Sequence, residues 1–196
     1  MCAAHSSLTR AVPGTALLAC VIAIQASSGA QPSDGRLITS SSMGLVRLNM
    51  TLDAVRQMLP AASFERGTDG DGAALIRVTF GPDDALILWA DEDDPEAPID
   101  WSRQVITIYT FSKSFHTADG VRPGSLVSDV ARIFGPIQEV VVSEIESRQF
   151  ITFERQPSWL TFRLDDTGIF PAGARTTKTV RPDARILAIY ISSHGP

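Results

Sequence analysis

Few side chains in this sequence could do chemistry, and their spacing does little to help them. Beyond residue 30 there are two histidines, His116 and His194, and no cysteine, since Cys2 and Cys20 both lie upstream. Such a set offers no thiol nucleophile, no second imidazole near the first, and none of the Cys/His clusters that hold zinc. Gly-x-Ser-x-Gly, His-Glu-x-x-His and phosphate-cradling loops are all missing. The acidic runs are richer. Asp69-Gly70-Asp71-Gly72 opens like a calcium loop but lacks the later ligands and the bidentate glutamate, and Asp91-Glu92-Asp93-Asp94 is the kind of charge run that usually lies solvated. Acid–base work would need distant carboxylates such as Asp91 and Asp165 to converge. Asn49-Met50-Thr51 fits the N-glycosylation pattern, though the bacterial look of the export segment described below argues against its use. These residues predict a non-enzymatic protein without cofactor or metal.

What remains is binding chemistry. Trp89, Tyr109, Trp159 and Tyr190 occur in or beside runs of alternating polarity, with Arg77, Thr107, Thr161 and Arg163 in the same phase. If the apolar alternates face a core, these residues share the opposite face. Trp, Tyr and Arg dominate the energetics of protein interfaces, so the six predicted partner-binding residues are Trp89, Tyr109, Trp159, Tyr190, Arg77 and Arg163.

The elements that must position them come from a repeat. Val46 to Leu59 returns ungapped 75 positions later as Val121 to Phe134, with Val46/Val121, Arg47/Arg122 and Val55/Val130 identical. In the first copy Thr51 is the expected N-cap of a short helix whose stripe is Leu52, Val55, Met58 and Leu59, closed by Pro60. In the second, Ser125 is the expected cap of Val127, Val130, Ile133 and Phe134, ended by Gly135-Pro136. Each helix is followed by three runs of period two. The first set is Ile76/Val78/Phe80, Leu86/Leu88/Ala90 and Ile106/Ile108, and residues 65–73 before it read as a Gly/Asp loop. The second set is Ile151/Phe153, Leu160/Phe162/Leu164 and Leu187/Ile189/Ile191. One clean apolar face per strand predicts antiparallel sheets covered on one side by helix. The expected fold is α+β: two tandem units, 44–116 and 117–196, each a helix on a three-stranded meander, with the sheets joined.

Residues 1–30 carry one charge, an apolar run over 16–26 and a small-residue exit at Ser28-Gly29-Ala30, the pattern of a secretory signal peptide. Leu17-Leu18-Ala19-Cys20 also fits a lipobox, which would make Cys20 an acylated first mature residue. The expected location is therefore periplasmic or secreted, with an outer-membrane lipoprotein as the alternative. Residues 31–43 read as a flexible leader. From residue 31 onward, 16 Lys plus Arg (17 less Arg10) oppose 22 Asp plus Glu, a net of −6. That surface argues against general nucleic-acid or anionic-membrane binding, so membrane attachment would require acylated Cys20.

The repeated element Leu48-Asn49-Met50-Thr51-Leu52-Asp53-Ala54-Val55-Arg56 resembles the Gly-Met-Thr-x-x-x-Val signature of the BamE/SmpA-like superfamily. Asn49 stands where that family has glycine, and Pro123-Gly124-Ser125-Leu126 keeps the glycine without Met-Thr. Tandem copies resemble the β-lactamase-inhibitor-protein architecture, although this chain lacks the disulfides of those inhibitors. The resemblance implies an exported module that binds another macromolecule. The expected partner is a protein of the cell envelope or a secreted target; a small-ligand or lipid-binding envelope protein is the alternative.

Overall fold

The computed structural model describes residues 35–144 and 147–193. The expected signal peptide, Cys20, residues 31–34 of the leader and His194 lie outside the described residues.

In chain order come β1 (Leu37–Ile38), β2 (Ser42–Met43), β3 (Val46–Arg47) and α1 (Leu52–Met58). The strands β4 (Ser63–Thr68), β5 (Ala74–Gly81), β6 (Asp84–Trp89) and β7 (Thr107–Thr110) follow, then β8 (His116–Thr117) and α2 (Val127–Phe134). The chain ends with β9 (Ile137–Val142), β10 (Gln149–Phe153), β11 (Leu160–Leu164), β12 (Thr176–Thr177) and β13 (Ile186–Ser192). The class is α+β. A nine-stranded sheet runs β12-β9-β10-β11-β13-β7-β6-β5-β4, and a small four-stranded sheet runs β3-β2-β1-β8.

In the large sheet β4 to β7 form one antiparallel meander, and β9, β10, β11 and β13 form another. The two meet where β7 pairs antiparallel with β13, Tyr109 opposite Tyr190. Each meander therefore has four strands, not three. The sequence reading missed β4 because Gly67 and the charged Glu65 and Arg66 hide its pattern; as an edge strand it has only one neighbour to satisfy. The predicted Gly/Asp loop shrinks to a tight turn in which the Asp69 carboxylate accepts from the amides of Asp71 and Ala73.

One hydrophobic core joins the helices to one face of the large sheet. Leu52 and Val55 of α1 and Val127, Val130 and Phe134 of α2 pack in it with Ile76, Leu88, Ile108, Ile151, Phe162 and Ile189. Met58 and Ile133, expected in the stripes, stay exposed, because each stands six residues after the first buried residue of its helix and so falls at the edge of the buried stripe. The Thr51 hydroxyl accepts from the Ala54 amide as expected. In α2 the N-cap is Leu126, without a side-chain cap, and the Ser125 hydroxyl accepts from Arg122 N instead. Leu187 is displaced from the core by a bulge opposite Arg163/Leu164, and Ile186 takes its place.

The leader assignment is corrected for residues 35–43. Leu37 and Ile38 pair parallel with His116 and Thr117, Ile38 faces Met43 in a hairpin, and Ile38 and Met43 are fully buried. Small polar residues concealed two apolar anchors.

Both helix entries are bonded alike. Asn49 N and Gly124 N donate to Val105 O and Ile186 O at 2.7 Å each; Leu52 N and Val127 N donate to Arg103 O and Ala184 O at 2.9 Å each. Asn49 (φ 64°) and Gly124 (φ 91°) both lie in the left-handed region. The repeated segment thus pins each helix to the start of the last strand of its meander.

Candidate functional site

Alternation along the strands sends Leu75, Arg77, Ile87, Trp89, Thr107, Tyr109, Tyr190, Thr161 and Arg163 to the face opposite the main core. Register then sets Arg77 beside Ile87, Ile87 beside Tyr109, Tyr109 beside Tyr190 and Tyr190 beside Thr161, one row across five strands. Trp89, Thr107 and Ser192 form the adjoining row.

At the junction of the two meanders the rings of Tyr109 and Tyr190 stack with centroids 4.4 Å apart and 14° between planes. Phe111 meets Tyr109 edge-on at 5.8 Å, and Phe150 meets Tyr190 edge-on at 6.0 Å. Both geometries suit ring quadrupoles. Arg163, directly opposite Phe150, holds its guanidinium 5.9 Å from the Phe111 ring. Leu75, Ile87, Tyr109 and Tyr190 make an apolar cluster separate from the main core, and no helical residue belongs to it. Tyr109 is only 8% exposed, shielded by its own ring neighbours, whereas Phe111 is 42% and Trp89 37% exposed. Within the stack Tyr109 is therefore buried and Tyr190 half-buried, and the more accessible rings lie around it.

Five of the six predicted residues share this face. Trp159 does not: it sits in the turn before β11 and packs against the main core, near Leu37, Ile38 and Phe134. Period-two reasoning fails there because the residue is outside the strand. Phe111 and Phe150 were missed, although each was signalled, Phe111 by its place two residues after Tyr109 and Phe150 by alternation with Ile151.

No family model matches this chain, and no curated protein does. The crystal structure of the uncharacterized protein yfeY from Escherichia coli is similar at a TM-score of 0.47 and 14% identity, covering 81% of this chain and 94% of that chain.

Beside the Tyr190 platform a groove of about 560 Å³ is lined by Val141, Phe150, Pro157, Leu160 and Thr161. It is continuous with the platform through Phe150 and Thr161. Two cations border these aromatics. Arg77 is exposed, and Arg163 is half-buried with a buried Nε that has no hydrogen-bond partner. Among the described residues neither forms an ion pair.

The other charged groups have internal duties. Glu92 in the acidic loop accepts from the Arg66 Nη1 and Nη2 and from the Asp100 amide, while Arg66 Nε donates to Ala97 O and its Nη2 also to Pro98 O. The basic segment 170–182 does not meet that loop: Arg175 lies 3.9 Å from Glu144, and Arg181 pairs with Asp183 at 2.9 Å. Asp84 has its carboxyl held below the usual range, first by the Ser114 hydroxyl and then by Ser112 and Arg36, against an opposing effect of burial. Asp100 is lowered by the Ser102 hydroxyl and amide. Asp165 accepts from the Thr167 hydroxyl and Arg185 N, closing a local corner. The His116 ring lies 3.1 Å from Thr117 O. Among the described residues no group of three His, Asp or Glu side chains stands together to hold a metal, and no helix is long and apolar enough to cross a membrane.

Proposed function

We propose that this is an exported, non-enzymatic module that binds another protein through the sheet face bearing Tyr109 and Tyr190. The observation that carries the reading is the ring platform flanked by exposed Trp89 and Phe111 and by two cations that form no ion pair among the described residues, on the face the helices leave uncovered. Aromatic and arginine side chains held by their neighbours lose little freedom when a partner docks, which is what makes them hot spots.

We also propose that the chain is a tandem of one unit, 44–116 and 117–196, of the kind the BamE/SmpA-like and inhibitor-protein resemblances imply. The matched hydrogen bonds at Asn49 and Gly124 and the two four-stranded meanders support this. Placement in the periplasm or outside the cell, with or without an acylated Cys20, rests on the sequence of residues 1–30.

Crosslinking and affinity capture from the native cell envelope tests the reading. A protein partner recovered with the wild-type chain and lost with the Trp89→Ala/Phe111→Ser double variant is the expected result. Equal recovery with both folded proteins removes this face from the assignment. The small-ligand reading is favoured by one observation, the 560 Å³ groove. A small molecule retained in native mass spectrometry, and displaced by Phe150→Trp, would replace protein binding with ligand binding.

A further inference from the structure

The sheet face also points to the chemistry of its occupant, an inference that rests on the protein-binding reading above. Burying a guanidinium nitrogen without an acceptor is unfavourable, and protein interiors rarely tolerate it. Arg163 has such a nitrogen at Nε, and its guanidinium lies 5.9 Å from the Phe111 ring, in a cation–π contact, with no ion pair among the described residues. Arg77 lies on the same face with no ion pair among the described residues, though its cross-strand neighbour is Glu65. The protein as a whole is acidic, yet the row between these two arginines presents Ile87, Tyr109, Tyr190 and Thr161, with Phe111 beside it; the carboxylate that shares a small cavity with Arg77, Ile87 and Phe111 is Asp83, at the turn before β6.

We infer that the occupant is a protein segment with two carboxylates flanking large apolar side chains, one carboxylate on Arg163 and the other on Arg77. The two arginines stand on β11 and β5, four strand spacings apart, which at about 4.8 Å each is roughly 20 Å. An extended chain covers that distance in about six residues. The segment crosses the strands along the row of Ile87, Tyr109 and Tyr190, and an apolar side chain at the Arg163 end enters the groove beside Phe150. Directly opposite strand positions hold Phe150 and Arg163 together, so anchor and charge are read at one place. Pairing the half-buried Arg163 guanidinium with a carboxylate supplies specificity and slows dissociation.

Selection of a phage-displayed library of random linear peptides on the purified full chain tests this, followed by titration of the enriched peptides in synthetic form. The expected sequences carry acids about six residues apart around an aromatic or large aliphatic residue. Their affinity falls roughly tenfold or more with Arg163→Gln, and likewise with Arg77→Gln, whose side chain is exposed and whose fold is safe. Affinity also falls as salt rises. Enriched peptides without acids, bound equally by both glutamine variants but released by Trp89→Ala/Phe111→Ser, overturn the acidic occupant and keep the binding face. Peptides indifferent to all of these variants, or no enrichment at all, overturn both.

Discussion

Glu92 shows how a residue that reads as surface charge becomes structural. Its side chain is 7% exposed and that of Arg66 16%, and the pair ties the acidic loop to β4. Removing one partner of a buried pair leaves the other charge unpaired, so Glu92→Ala should lower stability by about 3 kcal/mol in urea unfolding. An unchanged midpoint would refute the tie. Asp84 supports a pH prediction. Its folded pKa lies below the ordinary 3.8, so its contribution to stability is present above that value and is lost as pH falls through the folded pKa. Asp84→Asn should therefore be less stable than wild type at neutral pH, and the two acid-unfolding curves should converge below pH 3.8. Curves that stay parallel through that range would assign the loss to packing instead.

At the level of elements, the helix entries depend on backbone shape more than on the Met-Thr of the signature. Asn49 tolerates the left-handed region that its φ of 64° requires, whereas a β-branched residue does not. Asn49→Gly should stay within about 0.5 kcal/mol of wild type, while Asn49→Val should cost about 1–2 kcal/mol. Equal stability of the two variants would deny the backbone its role. Gly124 takes the corresponding left-handed position at the α2 entry, at a φ of 91°. The helix stripes were legible because Leu52, Val55, Val127 and Val130 recur at helical spacing. Strand β9 was not, since Gln138 and Glu139 interrupt its apolar pattern where register shifts against β10.

For the whole molecule, the pairing of β7 with β13 joins the two meanders in one sheet, so a single cooperative unfolding transition is the expected outcome. Ile108 and Ile191 are cross-strand partners and both belong to the one main core. Ile108→Ala should cost about 3–4 kcal/mol and should shift one unfolding transition without splitting it. The segment 44–116 expressed alone should show no cooperative unfolding by circular dichroism, because β7 would lose its neighbour and the core its second half. A sharp transition in that fragment would mean that the unit is self-sufficient.

Local periodicity and turn chemistry made legible the α+β class, both short helices, most of the core strands and the shared sheet face of five of the six residues predicted to bind a partner. Tertiary structure decided the rest. It ordered residues 35–43 through pairing with β8, moved Trp159 to the core side, replaced Leu187 by Ile186 through a bulge, and brought Tyr109 and Tyr190 into a stack across a junction of strands 81 residues apart. Those outcomes depend on which distant strand supplies the missing hydrogen bonds and ring contacts, and no local pattern carries that information.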